Sequence, residues 1–545
     1  MRNFLVPKRN KEILEFDIVI VGAGSAGSVI AGRLADQTNI KILVLESGGS
    51  DFRPDIKAPI GYGMTFFNSN VNWCYSSVPQ EKLFNRELYV PRGKVVGGSG
   101  SINAMVYLHG LRNDFDDWES FGGDQLSWES VKESYGSIEG VGSNSKKRRI
   151  HVSDVSDQHE KILENFFAAG EKLGFNYSSN LNEPNLGELG SYPLNTKNGV
   201  RWTSADGFLR PAIKSNNIEL IKNATATRLQ TENGKVTGLE FFKGKDKKLV
   251  KVTRGVILAA GAVNTPKLLL LSGIGPGNEL IAHGIEVIHS EPNIGKNLQD
   301  HLGIDYLYET SANSLNKVLG TWMGRIRSAL TYLLFRKGPF SLSVNQGGGF
   351  VNWNSRNKAP NLQLYFNPIT YSIKRNSKKR ELLKTDKFNG FAIGFQPCRP
   401  NSRGEVTLFS KHVFDPPRID PKFLSDDSDM HDVVAGINCI ESFLKTKDLS
   451  DIIVKEKSLN LNISGLEEKI DDFKNRAVSI YHLCGTCRMG KDPIKAPVAN
   501  NFKLRGFENL WVADASLFPN VTSGNINSPT MMLAYKASDA IVKQI

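Results

Sequence analysis

The stretch Phe16-Asp-Ile-Val-Ile-Val-Gly22-Ala-Gly24-Ser-Ala-Gly27 stands near the start of the 545-residue chain. Its apolar, β-branched part, Phe16–Val21, predicts a buried strand. Helical spacing of apolar residues over Ser28–Ala35 predicts a helix, and Lys41–Glu46 reads as a second buried strand. Together they predict a β-α-β unit with a glycine-rich turn after its first strand.

The three glycines follow the pattern G-x-G-x-x-G, which is typical of dinucleotide binding. Gly22 permits the tight turn, Gly24 lets the backbone approach a pyrophosphate, and Gly27 allows the helix to pack on the strand. The amides of Ser25 and Ala26 at the helix start would then face the phosphates. The motif alone leaves NAD and FAD open.

An acidic residue stands at the end of the second predicted strand. Glu46 follows Gly22 by 24 residues, the spacing at which a carboxylate accepts hydrogen bonds from ribose hydroxyls. A carboxylate there disfavours the 2′-phosphate of NADP. We place Ser47 beside it in the same site.

Length and charge limit the class of protein. The length suggests two to four domain-sized units. The sequence contains no run of 18 consecutive apolar residues, so it predicts no membrane-spanning helix. The net charge of +12 comes with no nucleic-acid motif, so we assign it to a solvated surface, including the short basic runs 145–149 and 371–380. The first ten residues lack a secretory signal. We expect a cytoplasmic monomer or homodimer with at most peripheral membrane contact.

The nucleotide-type signals lie toward both ends of the chain, with unlike sequence between them. Val252–Ala260 and Asn509–Val512 are further predicted strands, and Phe391–Ser410 reads as strands broken by prolines and a glycine. The pattern predicts one discontinuous cofactor domain with a second domain inserted.

A basic amphipathic stretch, Thr321–Lys337, allows two interpretations. It could lie on a membrane surface, or it could be a helix packed over the active site. The second interpretation is favoured.

Several longer motifs resemble the glucose–methanol–choline (GMC) oxidoreductase family, in particular its choline-dehydrogenase-like branch. They occur in family order and span about residues 14 to 543. The stretches are Gly93-Lys-Val-Val-Gly-Gly-Ser-Gly-Ser-Ile-Asn103, Gly261-Ala-Val-Asn-Thr-Pro-Lys-Leu-Leu-Leu-Leu-Ser-Gly-Ile-Gly275, Asn293-Ile-Gly-Lys-Asn-Leu-Gln-Asp-His301, Arg399-Pro-Asn-Ser-Arg-Gly404, Tyr481-His-Leu-Cys-Gly-Thr-Cys487 and Gly524-Asn-Ile-Asn-Ser-Pro-Thr530.

The resemblance implies an α/β fold, α+β overall. A discontinuous, Rossmann-like FAD-binding domain would cover residues 14–160, 218–305 and 475–545. A substrate-binding domain, built on an antiparallel sheet with helices, would cover residues 161–217 and 306–474.

The resemblance also implies FAD as the cofactor. Some family members attach FAD covalently through a histidine in the first signature, and Ile102 occupies that position here. We therefore expect non-covalent FAD and no metal. Beyond the first glycine loop, Glu46 and Ser47, the expected cofactor-binding residues are Arg92, Gly93, Gly98, Ser99, Asn103, Ala104, Met105, Val106, Ala226, Ala260, Gly261, Asp514, Ala515, Pro529 and Thr530.

The last motif pair carries the predicted catalytic residues. Within the family, His482 corresponds to the general base that takes the hydroxyl proton, which suits histidine near neutral pH. Asn527 corresponds to the residue that orients the substrate oxygen; alignment through Pro529 and Thr530 favours it over Asn525. Tyr481 is a predicted substrate contact, and His301 is read as structural.

The expected reaction is oxidation of a primary or secondary alcohol to the carbonyl by hydride transfer to flavin N5, with oxygen or another electron acceptor as oxidant. The alternative is a non-redox or light-driven homologue, of the hydroxynitrile lyase or fatty-acid photodecarboxylase type. The latter enzymes use a Cys and an Arg, and Cys398 adjoins Arg399 here.

Overall fold

The computed structural model describes residues 14–141, 148–183, 187–214, 217–354, 359–371 and 384–545. The first ten residues and most of the two basic runs lie outside these ranges.

One sheet is built around the strand that precedes the glycine loop. Leu14–Val21 pairs in parallel with Ile42–Glu46 on one side and with Asp246–Leu258 on the other. Ile42–Glu46 pairs in parallel with Ile218–Lys222, and Asp246–Leu258 pairs in parallel with Leu510–Val512. An antiparallel extension, Ala224–Glu232 and Lys235–Lys243, completes the sheet.

The parallel strands are apolar because helices and loops cover both of their faces. Residues 18–21 and 42–45 are almost completely buried. The helix after the glycine loop, Ser25–Gln37, packs against the last helix, Asn527–Val542. Two segments from opposite ends of the described chain are thereby brought together over one sheet.

A second sheet is mostly antiparallel. Its strands run in the spatial order Ile453–Glu456, Leu302–Thr310, Gly390–Pro397, Leu362–Asn367, Gly347–Val351, Glu188–Ser191 and Asn176–Tyr177, with Val478–Ser479 paired to Leu302–Thr310. Helices Ile162–Lys172 and Ser428–Lys445 cover it through an apolar core of their own. The mixed fold predicted from the sequence, a Rossmann-like sheet with an antiparallel second sheet, is confirmed.

The remaining helices of six residues or more connect the sheets or lie on the surface. They are Arg112–Gly122, Trp128–Glu139, Gly261–Leu271, Gly277–Ala282, Trp322–Phe335 and Leu466–Arg476. Among the described residues, we find no helix both long and apolar enough to cross a membrane.

The domain boundaries stay a proposal, supported by which strands share a sheet. Every strand of the first sheet falls in the ranges assigned to the FAD-binding domain. The second sheet falls in the substrate-binding ranges except at two strands. Leu302–Thr310 crosses the boundary at residue 305, and Val478–Ser479 lies just after residue 475.

The C-terminal helix begins at Asn527, with Ile526 at the cap position and no side-chain cap. One local feature differs from the sequence predictions. The stretch Thr321–Lys337 does not bury its apolar side, because most of its large apolar residues are exposed.

Candidate active site

A cavity of about 470 Å³ extends from the glycine loop to His482. This volume is typical of a small-molecule or cofactor site. Its walls come from the first sheet, the signature loop after Pro91, the start of the last helix and the second sheet. It therefore lies where the two sheets meet.

The glycine loop has the close contacts that the motif predicts. Gly22 has a φ of +103°, and a Cβ on Gly27 would lie 1.9 Å from the carbonyl oxygen of Gly22. The helix that follows has no side-chain cap and no acid in its first turn. Its first amides are therefore available to an anion in the cavity.

Glu46 is buried at the end of its strand and lines the cavity. Its carboxylate accepts hydrogen bonds from the amides of Ala23, at 2.9 Å, and Gly48, at 2.7 Å. Burial raises the pKa of Glu46 to about 7 despite these bonds. The remaining lone pairs of its two oxygens can accept from a ligand's hydroxyls.

The first signature forms a loop against the glycine loop. Gly98 has a φ of +57°, and a Cβ there would lie 2.7 Å from the Cα of Gly24. The buried guanidinium of Arg201 holds this loop by donating to the carbonyls of Gly100 and Asn103 and to the side chain of Asn103. Arg201 lies in no recognised motif, so the sequence alone does not mark it as part of the site.

Asp514 organises a third loop. Its carboxylate accepts from the amide of Gly261, the hydroxyl of Thr265 and the amide of Ser516. These contacts join the strand Leu510–Val512 to the helix Gly261–Leu271. Asp514 thus shapes the cavity wall and also contributes to it.

Nearly all predicted site residues line this one cavity. The exceptions are Gly27 and Pro529, which are buried in the packing behind it. The residues that do line it are Gly22, Gly24, Ser25, Ala26, Glu46, Ser47, Arg92, Gly93, Gly98, Ser99, Asn103, Ala104, Met105, Val106, Ala226, Ala260, Gly261, Tyr481, His482, Asp514, Ala515, Asn527 and Thr530.

His482 is paired with His301 at one end of the cavity. The two Nδ1 atoms lie 2.8 Å apart, and His301 Nε2 lies 2.8 Å from the carbonyl oxygen of Cys398. Burial lowers the pKa of His301 to about 4. Burial, followed by the charges of His301 and Arg92, lowers the pKa of His482 well below its usual value. Both rings are therefore neutral at pH 7.

These contacts assign the protons on the two rings. A carbonyl oxygen can only accept, so His301 carries its proton on Nε2 and presents a bare Nδ1. His482 must then donate from its own Nδ1, which leaves its Nε2 unprotonated. His482 lines the cavity, so the molecule presents a base there.

Asp300 fixes the backbone of both histidines. Its Oδ1 accepts from the amides of His301, at 2.9 Å, and His482, at 2.6 Å, and its Oδ2 accepts from the hydroxyl of Ser479. Burial raises the pKa of Asp300 to about 7. Its position beside His301 in a family motif was the available sequence signal.

The asparagine beside His482 differs from the sequence prediction. Asn525 Nδ2 lies 3.2 Å from His482 Nε2, whereas Asn527 accepts a hydrogen bond from the Ser25 hydroxyl at 2.6 Å. Asn525 precedes the cap residue Ile526, whereas Asn527 is the first residue of the last helix, so the two side chains point to different partners. The structure brings Asn525 to the base and Asn527 to the glycine loop.

Tyr481 has a left-handed backbone, with a φ of +70°. Such a conformation is uncommon for a non-glycine residue and persists where surrounding contacts hold it. Its carbonyl accepts from the half-buried guanidinium of Arg92 at 2.9 Å, and its ring packs on Phe66. The strain lies directly beside the predicted base.

The cavity end near Tyr481 has further polar residues that sequence analysis did not identify. Asp305 and Asn367 both line the cavity. The Oδ1 atom of Asn367 has no hydrogen-bond partner among the described residues. Tyr62 and Tyr371 line the same region. No motif marks these positions, since they come together only through the second sheet.

Cys398 and Arg399 do not line the cavity. Cys398 is fully buried and takes part through its carbonyl, which accepts from His301. The Cys–Arg arrangement of a photodecarboxylase pocket therefore finds no support in the geometry.

Comparison with known proteins identifies the family. Profiles of the GMC oxidoreductase family match residues 16–303 and 400–534. The chain belongs to the GMC oxidoreductase family. This GMC oxidoreductase is 35% identical to an alcohol dehydrogenase [acceptor] of Pseudomonas putida, over 97% of this chain and 96% of that protein. It is 34% identical to an oxygen-dependent choline dehydrogenase of Rhizobium rhizogenes, with the same shares covered.

Solved structures of similar fold cover nearly the whole chain. A pyridoxine 4-oxidase from Mesorbium loti matches with a TM-score of 0.84 and 27% identity, over 96% of this chain and 98% of that chain. A formate oxidase matches with a TM-score of 0.88 and 25% identity, over 97% and 98%. The family resemblance read from the motifs is confirmed, and FAD is the cofactor expected of a GMC oxidoreductase.

Proposed function

We propose that this protein oxidises an alcohol to its carbonyl, with non-covalently bound FAD as hydride acceptor and His482 as general base. The observation that supports this most directly is the unprotonated Nε2 of His482 at the cavity wall. Two neutral histidines and a carbonyl oxygen hold that protonation state. A base of this kind is what hydroxyl deprotonation requires.

The residues divide the chemistry among them. The substrate hydroxyl donates to His482 Nε2, and the Asn525 amide donates to the same substrate oxygen. Bound FAD would supply the acceptor for the hydride that leaves the alcohol carbon. The proton passes to His482 Nε2, so the alcohol loses one proton and one hydride and becomes an aldehyde or ketone. His482 keeps its Nδ1 proton, which continues to bond His301.

The cavity suits FAD in the chemistry of its donors and acceptors. Glycines at Gly22, Gly24 and Gly98 let backbone approach the ligand, and the amides of Ser25 and Ala26 would face the pyrophosphate. Glu46 would accept hydrogen bonds from the adenosine ribose. Ile102 has no nucleophilic atom, so it cannot form a covalent link to the flavin.

The start of the last helix supports the flavin end. The helix begins at Asn527 without a side-chain cap, and Thr530 lines the cavity. Its positive dipole end would favour negative charge on a flavin held there. We propose that Asn527, held by Ser25, contacts FAD and that Asn525 is the substrate-orienting residue.

The region around Asp305 suggests a substrate class. Asp305 is exposed to the cavity space. Desolvation there raises its pKa to about 6 against the opposing charge of Arg476, so its carboxylate is mostly ionised at neutral pH. Burial raises the pKa values of the phenols of Tyr62, Tyr371 and Tyr481, and the nearby charge of Asp305 raises them further. A carboxylate among aromatic rings suits an alcohol that carries a cationic group.

An anaerobic alcohol screen tests the reaction. The yellow protein is mixed with amino alcohols, quaternary-ammonium alcohols and neutral alcohols without oxygen, and bleaching of the flavin absorbance is followed. We expect bleaching by at least one class and recovery on admitting oxygen or another acceptor. Bleaching by none, together with decarboxylation of a fatty acid under light, would support the alternative. Acid precipitation should release all FAD into the supernatant.

A further inference from the structure

The helix Trp322–Phe335, called the exposed helix below, presents its apolar side to solvent. Seven large apolar side chains on it are about half exposed or more: Trp322 71%, Met323 65%, Ile326 49%, Leu330 52%, Leu333 64%, Leu334 72% and Phe335 69%. Isolated exposed apolar residues are ordinary on protein surfaces, but a contiguous group of this size marks an interaction site.

The opposite side of the exposed helix is fixed to the protein. Its buried residues are Ser328 and Tyr332, and the Thr321 hydroxyl caps its start by accepting from the amide of Gly324. The Arg325 guanidinium donates to the carbonyl of Leu319 in the preceding short helix. At 3.6 residues per turn, Trp322, Ile326, Leu330 and Leu333 share the face opposite Ser328 and Tyr332. The usual orientation of an amphipathic helix is therefore reversed.

The charged residues within the exposed helix and its sequence flanks are all positive. The stretch 315–337 contains Lys317, Arg325, Arg327, Arg336 and Lys337 and no acidic residue, and these five side chains are exposed. An apolar face with a basic border is the pattern of a helix that lies in the interface of an anionic bilayer.

The charges also distinguish this partner from a second copy of the chain. A two-fold dimer through the exposed helix would bring the same basic border against itself. Anionic lipid headgroups instead neutralise these charges while the acyl region receives the apolar side chains.

We propose that the exposed helix docks the protein on the surface of an anionic lipid bilayer, with Trp322, Met323, Ile326, Leu330, Leu333 and Leu334 inserted. The proposal is independent of the reaction proposed above.

Docking would also affect how substrate reaches the cavity. The short helix Leu315–Leu319, which contacts the exposed helix, packs in one apolar cluster with Tyr62 and Tyr371 of the cavity wall. The substrate end of the cavity therefore lies close to the docked face.

Vesicle sedimentation of the FAD-loaded protein tests the proposal. The lipids are phosphatidylcholine alone and a phosphatidylcholine–phosphatidylglycerol mixture. The double variant Leu333→Asp/Leu334→Asp is compared with Ile463→Asp/Ile494→Asp, whose two isoleucines are each 81% exposed elsewhere. The charge change is the same in both, so general attraction of a basic protein to anionic lipid cancels. We expect the wild type and the control to bind mixed vesicles and the first variant to lose at least about tenfold in partitioning.

Two further measurements make the outcome decisive. Trp322 fluorescence should shift to the blue on binding and be quenched by brominated acyl chains, and Trp322→Phe should remove that quenching. Flavin bleaching by a water-soluble alcohol should be unchanged in every variant, which verifies folding. Equal loss of binding in both double variants, or no quenching, would refute docking. A dimer that Leu333→Asp/Leu334→Asp dissociates, with no vesicle binding by the wild type, would assign the face to a second copy instead.

Discussion

The Nδ1 atoms of His301 and His482 lie 2.8 Å apart, and this contact sets the state of the proposed base. In many hydrolases a carboxylate holds the catalytic imidazole in the required tautomer. Here a neutral imidazole does so, because its own Nε2 proton is committed to the carbonyl of Cys398. An uncharged partner leaves the pKa of His482 low, so the base stays unprotonated in a buried site.

Replacing the base should slow the chemical step selectively. His482→Ala is expected to reduce the rate of flavin reduction by roughly 10²- to 10⁴-fold, the usual contribution of one general base. FAD content should barely change, since the glycine loops and Glu46 hold the cofactor. Stopped-flow reduction by the best alcohol, with FAD quantified after denaturation, measures both. Wild-type rates in this variant would remove His482 from the mechanism.

The low pKa of His482 predicts an unusual acid limb in the pH profile of flavin reduction. The pKa of His482 lies well below its ordinary value, so wild-type reduction should hold its rate as pH falls through 6.5 and decline only in more acidic solution. In His482→Ala the defect should shrink as pH rises, because more substrate ionises without help. A wild-type limb near 6.5 would contradict the buried, neutral state.

His301 is expected to act as a positioning residue. His301→Ala removes the acceptor of the His482 Nδ1 proton and allows the other tautomer, whose Nε2 cannot accept a proton. The expected loss in reduction rate is about 10- to 100-fold, the cost of one buried hydrogen bond. Below about pH 4 His301 is itself protonated, and its charge then lowers the pKa of His482. Without that charge the acid limb should move to higher pH.

A conservative variant separates positioning from folding. In His301→Gln the side-chain oxygen can accept from His482, so part of the rate should return while the substrate KM stays near that of the wild type. Equal rates in the Ala and Gln variants, with an unmoved acid limb, would reduce His301 to a packing role.

The sequence specified the cofactor half of the molecule well and the substrate half poorly, for physical reasons. Gly22, Gly27 and Glu46 lie within one β-α-β unit, where local spacing determines position. Asn525 and Asn527 are two residues apart at a loop–helix junction. Which of them contacts His482 depends on where the helix begins. Periodicity identified the face of the exposed helix but not whether protein covers it. Asp305, Asn367 and Arg201 reach the cavity only through tertiary packing.

Asp305 should control preference for cationic alcohols. Asp305→Asn keeps the shape of the side chain and removes its charge, so kcat/KM for an amino or quaternary-ammonium alcohol should fall roughly 10- to 100-fold. A neutral alcohol of the same shape should be little affected and serves as the control. A parallel loss for both substrates would mean that Asp305 supports the cavity wall and does not bind a cation.

Glu46 should make FAD affinity dependent on pH. Its pKa of about 7 in the FAD-free protein means that the carboxylate becomes protonated as pH falls from 8 to 6. The ionised form accepts ribose hydroxyl donors more strongly, so FAD rebinding should weaken over that range. Glu46→Gln should flatten the dependence, and Glu46→Ala should lose about 1.5–3 kcal/mol of binding. Fluorescence titration of the apoprotein measures these affinities; an unchanged slope in Glu46→Gln would assign the titration to another group, such as Asp300.

The two asparagines of the last motif should have separable effects. The side-chain nitrogen of Asn525 contacts His482 Nε2. Its Oδ1 accepts from Gln363 Nε2 at 3.5 Å, and this second contact fixes the orientation of the Asn525 amide. Asn525→Ala should therefore lower the rate of flavin reduction by about tenfold, the loss of one hydrogen bond to the substrate oxygen, with FAD retained. Asn527 bonds Ser25 beside the glycine loop, so Asn527→Ala should weaken FAD retention more than it slows reduction of the FAD-loaded enzyme. Each variant is the other's control, since both remove one amide at the same helix start. If Asn527→Ala slows reduction while Asn525→Ala leaves it unchanged, the substrate-orienting role returns to Asn527 and the contact between Asn525 and His482 is only structural.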